Sequence, residues 1–201
     1  MSSWSELLDR AEPEGHVVQL YGADDQLLTR NVSRYFLEGL RRGDGLVMIA
    51  TEDHAEAVLR QMRAETSDVT QALRDGRMVV LDARTTLDSF LVDGQPDHAR
   101  FRGEVDGILQ GVLARAATGK VRAFGEMVGL LWAEGDRPAA LRLEQYWNEL
   151  LAGSACSLFC AYPIDIFDGG SQTGGLAGVV CAHTHMYAGP GTMLSSARAT
   201  R

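Results

Sequence analysis

Apolar residues in this chain follow two spacings in turn, and together these predict a sheet covered by helices. Short continuous apolar runs such as Leu46-Val47-Met48-Ile49-Ala50 are typical of strands that are buried on both faces. Between these runs, apolar residues recur three or four positions apart, as in residues 27–40, which predicts amphipathic helices. Because strands and helices succeed one another, we predict a three-layer α/β fold with a mainly parallel sheet and helices on both faces.

The same pattern of apolar and polar residues predicts where each strand and helix begins and ends. Predicted strands cover residues 16–21, 46–50, 78–82, 120–125 and 156–162. Predicted helices cover residues 5–11, 27–40, 52–64, 69–74, 85–92, 97–117, 127–132 and 138–151. Residues 179–183 fit either a final strand or the start of a last helix, and the glycine-rich stretch 169–178 predicts a mobile loop. We expect an N-terminal helix and linker over 1–14, one domain over 15–189 and a frayed tail over 190–201.

Composition narrows the class of protein. The chain has 201 residues, of which 45% are hydrophobic and 23% charged, as in ordinary globular domains. A formal net charge of -8 argues against a broad nucleic-acid footprint and against binding to an anionic membrane surface. The sequence shows neither a signal-peptide pattern nor a long apolar span, and its three cysteines suit a reducing compartment. We therefore expect a cytoplasmic protein, with no cofactor.

The loop after the first predicted strand has the layout of a nucleotide site but lacks its chemistry. Strand 16–21 runs into Gly22-Ala23-Asp24-Asp25 and then a helix, without the Gly-Lys-Ser/Thr that neutralises a triphosphate. Asp24 and Asp25 would repel phosphate groups, although either residue also suits a helix N-cap. We infer a nucleotidase-like scaffold that has lost the Walker A lysine and keeps a pocket for another ligand.

Ligands of parallel α/β sheets bind where the strands end, and this rule gives a set of candidate residues. Glu126 directly follows strand 120–125; it could contact a ligand, act as a general base or only accept backbone hydrogen bonds at a helix start. Glu144 and Asn148 share a helical face, where they could line the pocket or fix the helix against the sheet. We expect His54 to be solvated. The predicted ligand-binding residues are Tyr21, Glu52, Glu126, Glu144, Asn148, Tyr162 and His183.

Several of these segments, in this order, resemble one known family. They are His16-Val17-Val18-Gln19-Leu20-Tyr21, Ala50-Thr51-Glu52-Asp53-His54, Phe124-Gly125-Glu126-Met127-Val128, Leu143-Glu144-Gln145-Tyr146-Trp147-Asn148 and Cys160-Ala161-Tyr162-Pro163. Over roughly residues 15–187 the chain resembles the MEDS domain, the sensory domain of DcmR-type regulators. The resemblance implies a RecA/KaiC-like fold without a working Walker A, a sensor of small organic compounds such as hydrocarbon derivatives, and coupling to transcription or two-component signalling. Family members often carry a DNA-binding or histidine-kinase segment; we expect neither in this chain, so that its output would pass through a partner, an oligomer change or a separate chain.

The function predicted from these observations is therefore a non-enzymatic sensory domain. It would bind a small organic ligand and signal to a partner such as a histidine kinase or transcription regulator, with homo-oligomer formation left open. Two alternatives remain: an enzyme, either a residual ATPase or a metal-dependent hydrolase using Glu126, and a pure interaction module. A metal site is a further alternative, because alternate strand positions share a face; its candidate ligands are Cys156, Cys160, Cys181, His183 and His185.

Overall fold

The fold was analysed in a computed structural model that describes residues 3–22, 24–164, 176–188 and 193–195. The strands are β1 (His16–Leu20), β2 (Gly45–Ala50), β3 (Met78–Asp82), β4 (Leu91–Val92), β5 (Gln95–Pro96), β6 (Val121–Gly125), β7 (Cys156–Tyr162), β8 (His185–Tyr187) and β9 (Met193–Ser195). The helices are α1 (Trp4–Arg10), α2 (Gln26–Arg42), α3 (Glu52–Glu65), α4 (Asp68–Arg74), α5 (Ala83–Ser89), α6 (His98–Leu113), α7 (Met127–Ala133), α8 (Arg137–Leu151) and α9 (Leu176–Ala182).

Within the described residues, one sheet carries strands in the order β3-β2-β6-β7-β1-β8-β9. Every pairing in it is parallel except that of β8 with β9. Helices cover both faces, so the predicted three-layer α/β fold with a mainly parallel sheet is confirmed, and it is consistent with a RecA-like arrangement. The central strands β2, β6 and β7 are buried at every position, as expected for strands with a helix layer on each side.

The two faces of the sheet carry separate cores. One core contains Val18, Cys160 and Tyr162 and packs under α6, α7, α8 and α9. The other contains Phe124 and Phe159 and packs under α1, α2, α3 and α4. Because side chains alternate along a strand, neighbouring residues of β7 belong to different cores. This alternation decides which of the predicted site residues can meet.

A buried arginine ties the second helical layer to the sheet. Arg122 on β6 is 2% exposed, and its Nε donates to Asp44 at 2.8 Å. The rest of its guanidinium group donates to the backbone oxygens of Leu8, Tyr35 and Asp9 at 2.9–3.1 Å. The fork of an arginine can bind several oxygens at once, so one residue fixes the positions of α1 and α2.

The predicted elements differ from the observed ones mainly towards the C-terminus. Residues 176–182 form α9, so the loop prediction for 169–178 is wrong from residue 176 on, while residues 169–175 lie outside the described part. Strand β8 was not predicted, and β9 contradicts a frayed tail at residues 193–195; the rest of that tail is outside the described residues. The predicted helix 85–92 ends at Ser89, where the short β4–β5 hairpin begins. No described helix combines the length and the apolar character that crossing a bilayer requires.

Candidate functional sites

The carboxylate of Glu126 joins the ends of two neighbouring strands. Glu126 follows β6 directly and is 2% exposed. The backbone N–H of Thr51, at the end of β2, donates to Glu126 Oε2 at 2.8 Å, and the Thr51 hydroxyl approaches the same oxygen at 3.3 Å. His54, in the first turn of α3, meets the other oxygen through Nδ1 at 2.5 Å. Glu126 therefore holds the start of α3 against the sheet.

His54 extends this contact to a second helix. Its Nε2 lies 2.9 Å from Asp25 Oδ2, at the start of α2. The hydrogen bond that His54 donates to Glu126 outweighs the opposing effect of burial and, with the carboxylate of Asp25, raises the pKa of His54 to about 9. At neutral pH the imidazole is thus a cation between two carboxylates. We call Asp25, His54 and Glu126 the strand-end bridge; the ring of Tyr21 lies edge-on to His54, with the centroids 5.6 Å apart.

The strand-end bridge and its surroundings are poorly suited to phosphate. Asp24 Oδ1 accepts the backbone N–H of Gln26 at 3.0 Å, so a carboxylate occupies the start of α2, where a nucleotide site would place phosphate oxygens. Asp25 adds a second negative charge there, with His54 as its partner. The side chains around this loop thus favour a cationic or hydrogen-bond-donating group over an anion.

A second group of polar side chains is enclosed on the other face of the sheet. His16 on β1, Cys160 on β7, Glu144 on α8 and His183 after α9 are all buried, and one potential ligand atom from each lies within 4.8 Å of the others. We call these residues the buried cluster. His16 Nε2 is 3.2 Å from both Cys160 Sγ and Glu144 Oε2, and His183 Nε2 is 3.3 Å from Glu144 Oε1.

Residues around the buried cluster orient its members. Asn148 donates through Nδ2 to the carbonyl oxygen of Ala182 at 3.0 Å, which directs its Oδ1 towards His16 Nδ1 at 3.1 Å. The hydroxyl of Tyr162 donates to Glu144 Oε1 at 2.7 Å. Burial alone would favour the neutral acid, but the positive charge available on His183 and His16 lowers the pKa of Glu144. The cluster therefore keeps a carboxylate inside the protein.

The observed cluster includes only part of the metal site considered from sequence. Cys160 and His183 meet there, whereas Cys156, Cys181 and His185 join no such group within the described residues. Cys181 is exposed on α9, and Cys156 is buried elsewhere on β7. His185 pairs with Val17, so it faces the opposite side of the sheet from the cluster. The metal-site alternative considered from sequence thus shares two of its five candidate residues with the observed cluster.

Comparison with known proteins shows the family of this chain. The family model of the methanogen/methylotroph DcmR sensory domain, MEDS, matches residues 15–184. The chain belongs to the MEDS family. A stretch of 80 residues of this MEDS domain is also 35% identical to the UPF0273 protein PAE3143 of Pyrobaculum aerophilum. That match covers 40% of this chain and 28% of the relative, so the chain spans well under half of the relative's length.

The structure also has a cavity of about 400 Å³ at the opposite end of the sheet from the strand-end bridge, lined in part by α1 and residues 11–14, which precede the matched residues 15–184. It lies beside α1, at the amino ends of β1, β7 and β8, and we call it the α1 cavity. Its wall is mainly apolar and includes Leu7, Val17 and Leu158. Polar groups come from Ser157 and His185, and burial lowers the pKa of His185, which keeps it neutral at pH 7.

The residues predicted to bind a ligand do not meet at one place. Tyr21 and Glu126 lie at the strand-end bridge, Glu52 is exposed on α3, and Glu144, Asn148, Tyr162 and His183 lie in or around the buried cluster. Sequence reasoning did not predict that His16 belongs to the buried cluster, although His16 is the first residue of a segment that resembles the family. It was also wrong about His54, whose side chain is 12% exposed and bound at both ring nitrogens.

Proposed function

We propose that this protein senses a small, largely apolar organic molecule that binds in the α1 cavity, between α1 and the MEDS domain. Membership of a sensory-domain family supports a sensing role. The properties of the cavity support this choice of binding site. Its volume of about 400 Å³ falls within the range of small-molecule pockets. Its wall is apolar with a few polar groups, as is typical of such pockets. None of the residues proposed from sequence as ligand contacts lines this cavity, so the proposal moves the ligand to the amino end of the sheet.

The polar groups of the α1 cavity suit a ligand with one hydrogen-bonding function. The Tyr35 hydroxyl donates to the carbonyl oxygen of Ser157 at 3.0 Å and also contacts the Ser157 hydroxyl at 2.8 Å. A neutral His185 can donate or accept a hydrogen bond. A small alcohol or halogenated hydrocarbon would thus place its carbon skeleton against Leu7 and Val17 and its polar atom near Ser157 and His185.

A thermal-shift screen of small alcohols, ketones and halogenated alkanes tests this proposal. A true ligand stabilises the fold by about 2.7 kcal/mol at a hundredfold excess over its Kd. Val17→Phe, which fills the cavity, should abolish the shift. Val92→Phe is the matched control, because Val92 is 39% exposed on the β4–β5 hairpin. A hit that Val17→Phe binds as tightly as the wild type would contradict the assignment.

The strand-end bridge is a second candidate site for the ligand. One observation favours it: the buried Glu126 leads through His54 to Asp25, whose side chain is 49% exposed, so a polar ligand could reach the bridge from solvent. A ligand with an amino group would compete with His54 for Glu126. In the same screen, loss of binding in Glu126→Gln with retention in Val17→Phe would favour this site over the α1 cavity.

We further propose that the ligand signal passes to a separate protein, such as a histidine kinase or a transcription regulator. The amino ends of β1 and β8 border the α1 cavity, and α1 covers it. A bound ligand would therefore stabilise α1 and the segment around His185, which hydrogen exchange with and without the screening hit would detect as slower exchange in both. Unchanged exchange in both segments, with binding proven, would contradict this route.

We also propose that the scaffold is a degenerate RecA/KaiC-like fold. The parallel strand order and the acidic loop after β1 support it. Titration with ATP and Mg²⁺ should show neither saturable binding nor phosphate release. Saturable nucleotide binding would favour the residual ATPase over the sensor.

A further inference from the structure

The buried cluster contains a carboxylate with an unusual set of neighbours. Among the described residues, Glu144 Oε2 has no hydrogen bond of acceptable geometry, although the atom is buried. His16 Nε2 lies 3.2 Å from this oxygen, and Cys160 and His183 place further potential ligand atoms within 4.8 Å of the carboxylate. A buried carboxylate oxygen without a donor is costly, so the geometry indicates that a positive species belongs at this point.

The hydrogen bonds of the two histidines decide what they present to Glu144. His183 Nδ1 lies 2.7 Å from the carbonyl oxygen of Val179, which only accepts, so Nδ1 carries the proton. The amide of Asn148 is oriented by its bond to Ala182, so His16 Nδ1 likewise donates to Asn148 Oδ1. In the neutral form, both rings then direct the lone pair of Nε2 into the cluster. Such outer hydrogen bonds are the usual means of fixing metal-binding histidines.

We propose that His16, Glu144, Cys160 and His183 bind one divalent transition-metal ion, with Zn²⁺ as the best fit. Bonds of about 2.0–2.3 Å in a tetrahedral site place neighbouring ligand atoms roughly 3.3–3.8 Å apart. The distances of 3.2 Å and 3.3 Å between histidine nitrogens, Glu144 oxygens and Cys160 Sγ are close to that range. Small side-chain movements would complete the site.

The charges also balance. A carboxylate from Glu144 and a thiolate from Cys160 together carry two negative charges, which a divalent cation neutralises inside the protein. Nitrogen, oxygen and sulfur ligands together favour zinc over the oxygen-seeking Mg²⁺ and Ca²⁺. Binding would release the thiol proton of Cys160 to solvent, since a coordinating thiol is deprotonated.

Four protein ligands make a closed site, which suits a stabilising role rather than catalysis. The ligands come from β1, α8, β7 and the residue directly after α9. Three of the ligands precede residue 164, whereas His183 lies between α9 and β8. The ion would therefore hold α9 and β8 against β1, β7 and α8. Thr184 already donates to the carbonyl oxygen of His16 at 2.7 Å, which keeps these two ligands adjacent.

Metal analysis of the purified, full-length chain tests the proposal. We expect about one zinc ion per chain after reconstitution with Zn²⁺ and removal of excess metal. Replacement with Co²⁺ should give the intense visible bands of tetrahedral cobalt and a thiolate-to-cobalt band in the near ultraviolet. Chain that is folded by circular dichroism but binds neither Zn²⁺ nor Co²⁺ would overturn the proposal.

Three cysteine variants provide matched controls. Cys160→Ser should lose the thiolate-to-cobalt band, while Cys156→Ser, also buried on β7, and Cys181→Ser, on the exposed side of α9, should keep it. An unchanged band in Cys160→Ser would contradict the ligand assignment.

Asn148→Ala tests the hydrogen bond between His16 and Asn148. It leaves all four proposed ligands in place, so it keeps the proposal testable if a ligand variant fails to fold. Because Asn148 orients His16 without being a ligand, its removal should weaken zinc binding about 10- to 100-fold and leave the cobalt spectrum tetrahedral. Asn148→Ala with wild-type affinity would show that no ion is held through His16.

Discussion

The strand-end bridge and the buried cluster use the same kinds of side chain in opposite surroundings. In the bridge, both ring nitrogens of His54 face carboxylates, and the half-exposed Asp25 connects the group to water. In the cluster, both Nδ1 atoms are held by oxygen acceptors, and the side chains of His16, Glu144 and His183 are fully buried. In the bridge, one proton on His54 is shared between two carboxylates, whereas the cluster offers four potential ligand atoms to the proposed metal ion. Surroundings, rather than residue type, thus separate a titratable contact from a metal site.

The largest expected effect is the loss of the carboxylate in the buried cluster. Glu144→Ala should lower the free energy of unfolding by about 3–5 kcal/mol, because it breaks the buried contacts of this carboxylate with His16, His183 and Tyr162. Urea denaturation would measure the change. The control is Glu149→Ala on the same helix, where Glu149 pairs with His98 at the surface and the cost should be about 0–1 kcal/mol. Equal effects of the two variants would mean that the cluster contributes no more than a surface ion pair.

A smaller effect is expected at the strand ends. Glu126→Gln keeps the shape of the side chain but removes the charge that faces His54 and places an N–H₂ group among donors. We expect a loss of about 1–3 kcal/mol in the free energy of unfolding, the cost of an unsatisfied buried polar group. Glu134→Gln, which changes a surface contact with Arg84, should be nearly neutral. Wild-type stability of Glu126→Gln would show that the contacts with Thr51 do not require a carboxylate.

This contrast also shows what the sequence could and could not predict. The strand of residues 46–50 was predictable because a short, continuous apolar run is typical of a strand that is buried on both faces. Glu126 could be predicted as a site residue because the end of a strand can be recognised in the sequence, and ligands of parallel sheets bind at strand ends. The partners of Glu126 were not predictable, since His54 lies 72 residues away and a first-turn helical histidine is ordinarily solvated.

The buried cluster shows the same limit more strongly. Its members lie on β1, β7, α8 and after α9, and only the strand order of the sheet places β1 beside β7. Pairing brings Cys160 beside Val18, two residues along β1 from His16 and on the same face. Spacing within one segment cannot reveal such a pairing, so His16 and Glu144 were not among the candidate partners considered for Cys160 from sequence. It also had no signal for a cavity formed by the packing of α1.

The titration of His54 gives the strand-end bridge a pH dependence. The pKa of His54 rises from 6.5 to about 9 on folding, so the folded state binds the proton more tightly than the unfolded state. This stabilisation is complete below about pH 6.5 and is lost as pH rises to about 9. We expect a loss of about 1–2 kcal/mol over this range, because water screens the exposed Asp25 end of the bridge.

The comparison with His54→Gln isolates this contribution. Burial raises the pKa of Tyr21, with Glu126 and Asp25 adding to the effect, so Tyr21 stays protonated throughout. Burial also raises the pKa of the Cys156 thiol, which adds a loss of stability at high pH in both proteins alike. The difference between wild type and His54→Gln should therefore shrink from pH 6.5 to 9. A constant difference would contradict the bridge.

The smallest effect is expected at the exposed end of the strand-end bridge. Asp25→Asn removes a carboxylate that is 49% exposed, and it should cost only about 0–1 kcal/mol of unfolding free energy. It should nevertheless lower the pKa of His54, measurable by NMR, and by less than Glu126→Gln does, because Glu126 is buried and makes the stronger hydrogen bond. Added salt should reduce the effect of Asp25→Asn while leaving that of Glu126→Gln largely unchanged, since ions screen only the exposed pair. If Asp25→Asn lowered the pKa of His54 more than Glu126→Gln, the solvent-facing carboxylate would hold the proton, and the strand-end bridge would be a surface ion pair rather than a contact fixed by the sheet.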